Sequence, residues 1–164
     1  RTGVDSVMRP LMAEEYDEMS PALSPDGRWI AYASNETGRF EVYVRPFPDV
    51  NAGRWQISSR GGNGPQWTED GGEIFFSDEN DNIVVAPVDG SGSAFQAASP
   101  QILFATPTDY DTGDLGVPFE ITRDGQRLIM ARVVRDAASD ASGLPDFVLV
   151  QNFAQELKAR VRDR

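Results

Sequence analysis

The sequence predicts an all-β fold built from about three copies of one four-stranded antiparallel unit. An Asp-Gly pair inside a four-residue turn that begins with serine or threonine recurs at residues 26, 70 and 124, and a short run of β-branched, aromatic or bulky residues follows each pair. Such runs are typical of buried strands. A second strand candidate follows each run and a short one precedes each turn, so the three segments match on both sides of the turn.

The turn has the same chemistry in each copy. Each begins with a hydroxyl residue, Ser24, Thr68 or Thr122, whose side chain can bond back to backbone N–H groups of the turn. In the first copy, Pro25 presets φ for the second position of a type I turn, and glycine suits the fourth position. We therefore predict a structural role for three pairs: Asp26 and Gly27, Asp70 and Gly71, and Asp124 and Gly125.

The strand candidates divide the chain into repeats at about residues 21–58, 64–105 and 117–152. Units of roughly 40–50 residues with four strands each are typical of β-propeller blades. A β-sandwich with coincidental Asp-Gly turns is the alternative, because Asp-Gly is a common hairpin dipeptide. Three copies in register favour the propeller, so we expect residues 1–164 to form one partial β-propeller domain.

A family resemblance supports this prediction. The stretches ALSPDGRWIAYASNETGRFEVYVRPFP, GRWQISSRGGNGPQWTEDGGEIFFS and QNFAQELKARV resemble the TolB-like β-propeller repeats at the C-terminal end of many bacterial serine/threonine kinase-like and sensor proteins. The resemblance covers essentially the whole chain. It implies a bacterial protein and a six-bladed propeller, of which this chain supplies about half. It favours an extracytoplasmic location, whereas the sequence itself leaves the compartment open.

The sequence departs from that family pattern in two ways. The third repeat has TRDG in place of the SPDG form, and a long loop interrupts it. No kinase segment accompanies the repeats, because the glycine-rich loop, HRD and DFG are absent from the sequence. Phosphoryl transfer is therefore not implied for this chain.

The two ends of the chain fit the same interpretation. VMRPLM at residues 7–12 predicts the outer strand of a preceding blade. Residues 152–162 predict a short C-terminal helix, with Asn152 as its N-cap and Phe153 and Leu157 on one face. Because so short a helix is marginal in isolation, we expect it to dock on a blade.

Composition excludes several classes of function. The chain has 26 acidic and 15 basic side chains, for a net charge of −11, whereas a nucleic-acid partner requires a cationic surface. Histidine and cysteine are absent, which removes Ser-His-Asp and Cys-His catalysis and most transition-metal sites. No apolar stretch approaches the roughly 20 residues of a membrane helix, so we expect no membrane insertion by this segment.

Calcium is the one cofactor for which the sequence offers candidate ligands. The stretch SDENDN places Asp78, Asn80 and Asn82 at alternate positions, as oxygen ligands often are in a calcium loop. It departs from the EF-hand loop, because Ile83 stands where the turn glycine belongs and Asp89 where a bidentate glutamate is expected. An ordinary polar hairpin turn is the favoured interpretation, and otherwise no cofactor is expected.

A partner surface is predicted around the second turn of the first repeat. Arg39 and Phe40 lie at the end of the polar stretch SNETGRF, and Tyr43 and Arg45 follow on the next strand candidate. Arginine and aromatic residues are enriched in interface hot spots. These four residues therefore form the candidate surface for a protein or small-ligand partner whose identity the sequence does not reveal.

The favoured function is a non-enzymatic protein-interaction or ligand-sensing module of a larger bacterial protein. This prediction rests on the propeller pattern, the missing catalytic residue types and the family resemblance, which is an analogy. Two alternatives stay open: an accessory, substrate-gating propeller of a prolyl-oligopeptidase-like hydrolase, and a calcium-dependent binding protein.

Three blades would form an open arc, because propellers close with about four to eight blades. Each end would expose an apolar face, with residues such as Ile30, Phe75 or Ile129. A homodimer would close a six-bladed ring, with residues 7–12 completing the last blade of the partner. The alternative is that the chain is a fragment of a longer propeller.

Overall fold

The computed structural model describes residues 10–106, 119–122, 125–133 and 145–151. These residues form twelve strands and their connections, with no helix among them. The fold class is all-β, as predicted. Within these ranges no helix is long and apolar enough to cross a bilayer. The predicted C-terminal helix at residues 152–162 lies outside the described residues.

The first blade is a four-stranded antiparallel sheet in which spatial order equals chain order. Its strands are β1 (Glu18–Leu23), β2 (Trp29–Ser34), β3 (Glu41–Pro46) and β4 (Trp55–Gln56). The outer strand β4 is only two residues long. The N–H groups of Ile57 and Ser58 both donate to the carbonyl of Val42, at 2.8 and 3.5 Å, and this bulge ends the regular pairing.

The second blade has a divided outer edge. Its strands are β5 (Asn63–Trp67), β6 (Glu73–Ser77), β7 (Asn82–Asp89), β8 (Gln96–Ala97) and β9 (Gln101–Ala105). One end of β7 pairs with β8 and the other with β9, so two strands share the position predicted for one. Pro100 lies between them, and proline cannot donate to a strand ladder.

The third blade has three strands in the described part of the chain. They are β10 (Phe119–Ile121), β11 (Arg127–Val133) and β12 (Pro145–Gln151), paired antiparallel in that order. Of the outer strand predicted at residues 7–12, residues 10–12 lie outside any strand. The rest of that segment lies outside the described residues.

The Asp-Gly turn makes the same backbone bonds in all three blades. The N–H of Ser24 donates to the carbonyl of Trp29 at 2.9 Å, and the Trp29 N–H donates to Ser24 Oγ at 3.0 Å. The same two bonds join Thr68 to Glu73 and Thr122 to Arg127. The turn glycines have φ values of 71°, 71° and 64° in chain order, a region that favours glycine.

The turn aspartates bind within their own turns. Asp26 Oδ1 accepts hydrogen bonds from Ser24 Oγ at 2.6 Å and from the Arg28 N–H at 3.0 Å. Asp70 makes the equivalent two bonds, of 2.7 and 3.0 Å. The bond from Ser24, followed by that from the Arg28 backbone, lowers the pKa of Asp26 to about 2. Asp124 lies outside the described residues.

Two apolar clusters join neighbouring blades, because alternate residues of a strand face opposite sides. The residue five positions after each turn aspartate points to the following blade. Ala31 is buried in the cluster between blades one and two, and Phe75 in the cluster between blades two and three. The expectation that Phe75 is exposed is therefore wrong, whereas the third equivalent, Ile129, is 37% exposed.

The opposite face of the first blade is covered by the chain itself. Ile30 and Tyr32 lie on this face and are 5% and 1% exposed. Arg45, opposite Ile30 in the ladder, donates to Tyr32 Oη at 2.7 Å and lies 3.2 Å from Glu14, which precedes β1. The expectation that Ile30 is exposed at an open end is wrong, because segments outside the strands pack over it.

Candidate binding site on the inner strands

The first strands of the three blades line a cavity of about 620 Å³, which we call the inner-strand cavity. Strands β1, β5 and β10 all contribute to its wall, and so do the starts of the first two Asp-Gly turns. Its lining includes Leu23, Pro25, Pro65, Glu69 and Glu120. A concave site with apolar walls and a few polar groups is the usual form of a binding site.

Side chains of β5 hold the inner strands together. Trp67 Nε1 donates to the carbonyl of Ala22 in β1 at 3.0 Å. On the other side, Gln66 Oε1 accepts the N–H of Ile121 at 3.0 Å, and Gln66 Nε2 donates to the carbonyl of Phe119. One amide thus satisfies a donor and an acceptor of β10, as a neighbouring strand would. The walls of the cavity are held by bonds between blades.

Bulges shape the first two inner strands. In β1 the pairing register shifts between Met19 and Ala22, and β5 has a comparable shift after Asn63. Bulges re-aim the side chains that follow them. Leu23 follows the bulge in β1 and is 51% exposed. This large apolar side chain lies at the cavity beside Pro25.

A second cavity of about 380 Å³ lies at the seam between the first two blades, and we call it the seam cavity. At its wall the carbonyl of Gly90 accepts hydrogen bonds from Trp29 Nε1 at 3.1 Å and from the Arg28 guanidinium at 2.6 Å. A Cβ at position 90 would lie 2.5 Å from Trp29 Nε1, so the contact requires glycine. The two cavities share Pro25, Trp67 and Glu69.

Both cavities are acidic. The inner-strand cavity is lined by Glu69 and Glu120 and by no lysine or arginine of the described ranges. Arg28 lies at the seam cavity, and its Nε is 2.7 Å from Asp26 Oδ2. Hydrogen bonds within their own turns lower the pKa values of three aspartates at the seam cavity: Asp26, Asp70 and Asp89. These three side chains are therefore ionised at neutral pH.

The candidate calcium ligands form a hydrogen-bonded turn. Asp78 is 8% exposed, and its Oδ1 accepts the N–H groups of Asn80 and Asn82 at 2.9 Å each. Asn82 Nδ2 also donates to Asp78 Oδ2 at 2.8 Å. No group of three histidine, cysteine, aspartate or glutamate side chains that could hold a metal occurs in the described ranges. The geometry is that of a polar hairpin turn, and calcium binding stays a prediction.

The candidate partner surface is divided between the interior and the exterior of the blade. Tyr43 and Arg45 are 1% and 7% exposed, and burial raises the pKa of Tyr43 to about 12. The Arg54 guanidinium lies 5.3 Å from the centre of the Tyr43 ring, and Arg45 donates to the carbonyl of Val50 at 3.3 Å. The prediction of a surface role is wrong for these two residues, because the loop after β3 packs against them.

Arg39 is exposed, but its guanidinium is engaged within the chain. Its Nε donates to Glu41 Oε1 at 2.7 Å, and its Nη1 donates to Glu79 Oε2 in the second blade at 3.1 Å. Glu41 is only 1% exposed and also accepts from Ser58 Oγ. Arg39 therefore bridges two blades across a buried carboxylate. Phe40 beside it is half-buried.

Sequence reasoning missed most of the cavity residues. Leu23, Gln66, Trp67 and Glu120 belong to no chemical motif of the sequence. The usable signal was position, because these residues directly precede the Asp-Gly turns and so belong to the first strand of each repeat. In a propeller the blades surround a central channel, which makes their first strands candidates for a shared site.

The sequence has a curated relative among bacterial proteins. No family model matches the chain. The Tol-Pal system protein TolB from Anaeromyxobacter dehalogenans (strain 2CP-C) is 35% identical over 95 residues. The match covers 56% of this chain and 22% of that relative, so the chain corresponds to about a fifth of its length.

Solved structures share the fold. A putative TolB from Agrobacterium tumefaciens has a TM-score of 0.51 and 18% identity, over 80% of this chain and 44% of that chain. An oligogalacturonate lyase from Vibrio parahaemolyticus has a TM-score of 0.54 and 12% identity, over 79% of this chain and 34% of that chain. At these identities the likeness concerns the fold alone. With the repeated turns, it shows that this chain has a β-propeller fold of the TolB type.

Proposed function

We propose that this chain is a non-enzymatic protein-interaction module and that its partner docks in the inner-strand cavity. The observation that carries the proposal is Leu23, which is 51% exposed in a cavity built by all three blades. Gln66 and Trp67 at the same cavity use their amide and indole groups in bonds between blades. The cavity therefore offers apolar contact area and carboxylates to a partner.

The sequence relative supports an interaction role. Its name assigns it to the Tol-Pal system, and we propose that this chain likewise acts together with other proteins. The chain spans 22% of the relative, so the partners and activity of the complete protein are part of the proposal. The kinase-like context implied by the family resemblance also stays a prediction.

We also propose that this chain catalyses no reaction. The sequence has no histidine and no cysteine, so the common nucleophile–base pairs cannot form from its side chains. The likeness to oligogalacturonate lyase concerns the fold, and we do not extend that activity to this chain. An accessory propeller of a prolyl-oligopeptidase-like hydrolase stays the alternative, and the sequence of the complete gene tests it.

Site-specific photo-crosslinking in the host cell tests the docking site. With a photoreactive amino acid in place of Leu23 in the full-length protein, we expect irradiation to give a discrete adduct with a partner protein. Ile102 is the matched control, because it is also large, apolar and 50% exposed but does not line either cavity. No adduct from position 23, or the same adduct from both positions, would contradict the proposal.

We also propose that the open face of the third blade packs against a further blade. Ile129 on that face is 37% exposed, whereas its equivalents Ala31 and Phe75 are 0% and 2% exposed. The further blade comes from a second copy, giving a six-bladed ring, or from the rest of a longer protein. If two copies closed a ring, the residues that bury Ile30 on the first blade would have to move away.

A further inference from the structure

The inner-strand cavity and the seam cavity adjoin each other. Pro25, Trp67 and Glu69 belong to the walls of both, so the two cavities lie on either side of these residues, and a chain segment that binds in the first can continue over them to the second. We call the two together the acidic groove. It extends from the first strands of the blades to the loop at Gly90, across the seam between blades one and two.

The charged side chains that line the acidic groove are carboxylates with one exception among the described residues. Glu69 lies where the two cavities meet, and Glu120 lies in the inner-strand cavity. Arg28 is the one cation that lines the groove within the described ranges, and its guanidinium already binds Asp26 and the carbonyl of Gly90. An incoming cation would therefore meet carboxylates with little competition, and an anionic segment would be repelled.

The apolar walls restrict which kind of cation fits. Leu23 and Pro25 line the inner-strand cavity, and the half-buried Trp67 lines both cavities. A hydrated metal ion or a simple polyamine would leave these surfaces uncovered. A peptide segment carries apolar and cationic side chains together, and arginine in particular can stack on aromatic rings.

We infer that the partner enters the acidic groove as a cationic peptide segment. Its apolar side chains occupy the inner-strand cavity beside Leu23, and its arginine or lysine side chains lie beside Glu69 and the aspartates of the seam cavity. This inference rests on the proposed function, because it takes a protein partner at this site as given. It adds the chemistry by which that partner is recognised.

Fluorescence polarisation with three labelled peptides tests the inference on the whole chain. The peptides share their length and their leucine and proline residues, and they carry arginine, glutamine or glutamate at the remaining positions. We expect the arginine peptide to bind about ten-fold more tightly than the glutamine peptide at low salt. The difference should shrink as salt rises, because exposed charges are screened.

Two variants separate the groove from the general acidity of the chain. Glu69→Gln removes the carboxylate shared by both cavities and should raise the Kd of the arginine peptide about three-fold, as fits an exposed charge. It should leave the Kd of the glutamine peptide unchanged. Glu15→Gln removes the same charge from an exposed residue that lines neither cavity, and should change neither Kd.

The outcomes test the cationic segment and the protein-interaction role separately. Equal binding of the arginine and glutamate peptides, or equal effects of Glu69→Gln and Glu15→Gln, would overturn the charge selectivity. If crosslinks still form from position 23 in that case, the protein-interaction role stands and only the cationic segment is refuted. If position 23 gives no crosslink, the docking site itself fails, whatever the peptides do.

Discussion

The seam between the first two blades contains all three tryptophans of the chain, whereas the described part of the seam between the second and third combines phenylalanine rings with aliphatic side chains. In the first seam, Trp29 lies 5.5 Å from Trp55 and 5.0 Å from Phe95, measured between ring centres. The second seam contains Leu128 and Met130 on the third blade and Phe75, Ile83 and Val85 on the second. The same repeated backbone therefore supports two different packing solutions.

The difference follows from one repeated position. The residue five places after the turn aspartate is Ala31 in the first blade and Phe75 in the second. The small Ala31 shares its cluster with three tryptophans and Phe95, whereas Phe75 is itself the large side chain at this position in the second seam. A protein interior can be filled by different sets of residues if their total volume and shape fit. The repeats therefore share their turn residues but not the residues of their seams.

The strongest test of this comparison removes one anchor from each seam. Trp29→Ala deletes two ring contacts and the hydrogen bond to Gly90, and it should lower the free energy of unfolding by about 4 kcal/mol. Leu128→Ala, fully buried in the second seam, should lower it by about 3 kcal/mol. Urea unfolding of the whole chain measures both. A larger loss for Leu128→Ala would show that the seam with the tryptophans does not contribute more to stability than the other seam.

A second test concerns the two ends of the arc, which also differ. Ile129 on the open face of the third blade is 37% exposed, whereas Ile30 on the covered face of the first is 5% exposed. We expect the chain to self-associate through the open face and Ile129→Glu to weaken that association about ten-fold, because a charge would be buried in the contact. Light scattering over a dilution series measures it.

Ile102→Glu is the control for this test, because Ile102 is exposed on the outer strand β9 of the second blade. It adds the same charge away from the open face and should leave the association unchanged. A wild-type chain that is a monodisperse monomer at all concentrations would rule out the open face as a self-association surface.

The smallest effect is expected at the turns, where the blades are alike. The folded-state pKa of Asp26 is about 2, below the ordinary 3.8. Its ionised form therefore stabilises the fold above the ordinary pKa, and this contribution is lost as pH falls through about 2. The side chain is 45% exposed, so solvent screening limits the contribution to about 1 kcal/mol or less.

Asp26→Asn keeps a hydrogen-bond acceptor but cannot titrate. Its urea midpoint should therefore change less than that of the wild type between pH 4 and pH 2. Asp70→Asn should behave in the same direction, because hydrogen bonds from Thr68 and the Gly72 backbone lower the pKa of Asp70 in the equivalent turn. If wild type and Asp26→Asn showed identical pH dependence, the ionised carboxylate would have no role in the turn.

Much of the fold was predictable because the signals are local. The bonds between Ser24 and Trp29 close over five residues, so the hydroxyl, proline, aspartate and glycine of the turn act on neighbours in sequence. The strands on both sides follow from runs of apolar residues. The divided outer edge at Pro100 was missed, because the division of β7 between β8 and β9 depends on how the strands pair and not on a run of apolar residues.

The candidate site was much less predictable than the fold. Tyr43 and Arg45 have the composition of a hot spot, yet they are buried against segments before β1 and after β3. Leu23 has the composition of a core residue, yet it is exposed at the inner-strand cavity. Residue type alone could not separate these cases, because burial depends on what packs against each strand.

The sequence by itself determined where the chain turns, where its strands lie and which alternate residues share a face. These properties depend on backbone preferences and on a two-residue periodicity, both of which act over a few residues. Only the tertiary structure decided which faces meet water, which blades share hydrogen bonds through Gln66 and Arg39, and where Leu23 and Glu69 form a groove. Those outcomes depend on residues that are far apart in sequence and are brought together by the packing of one blade on the next.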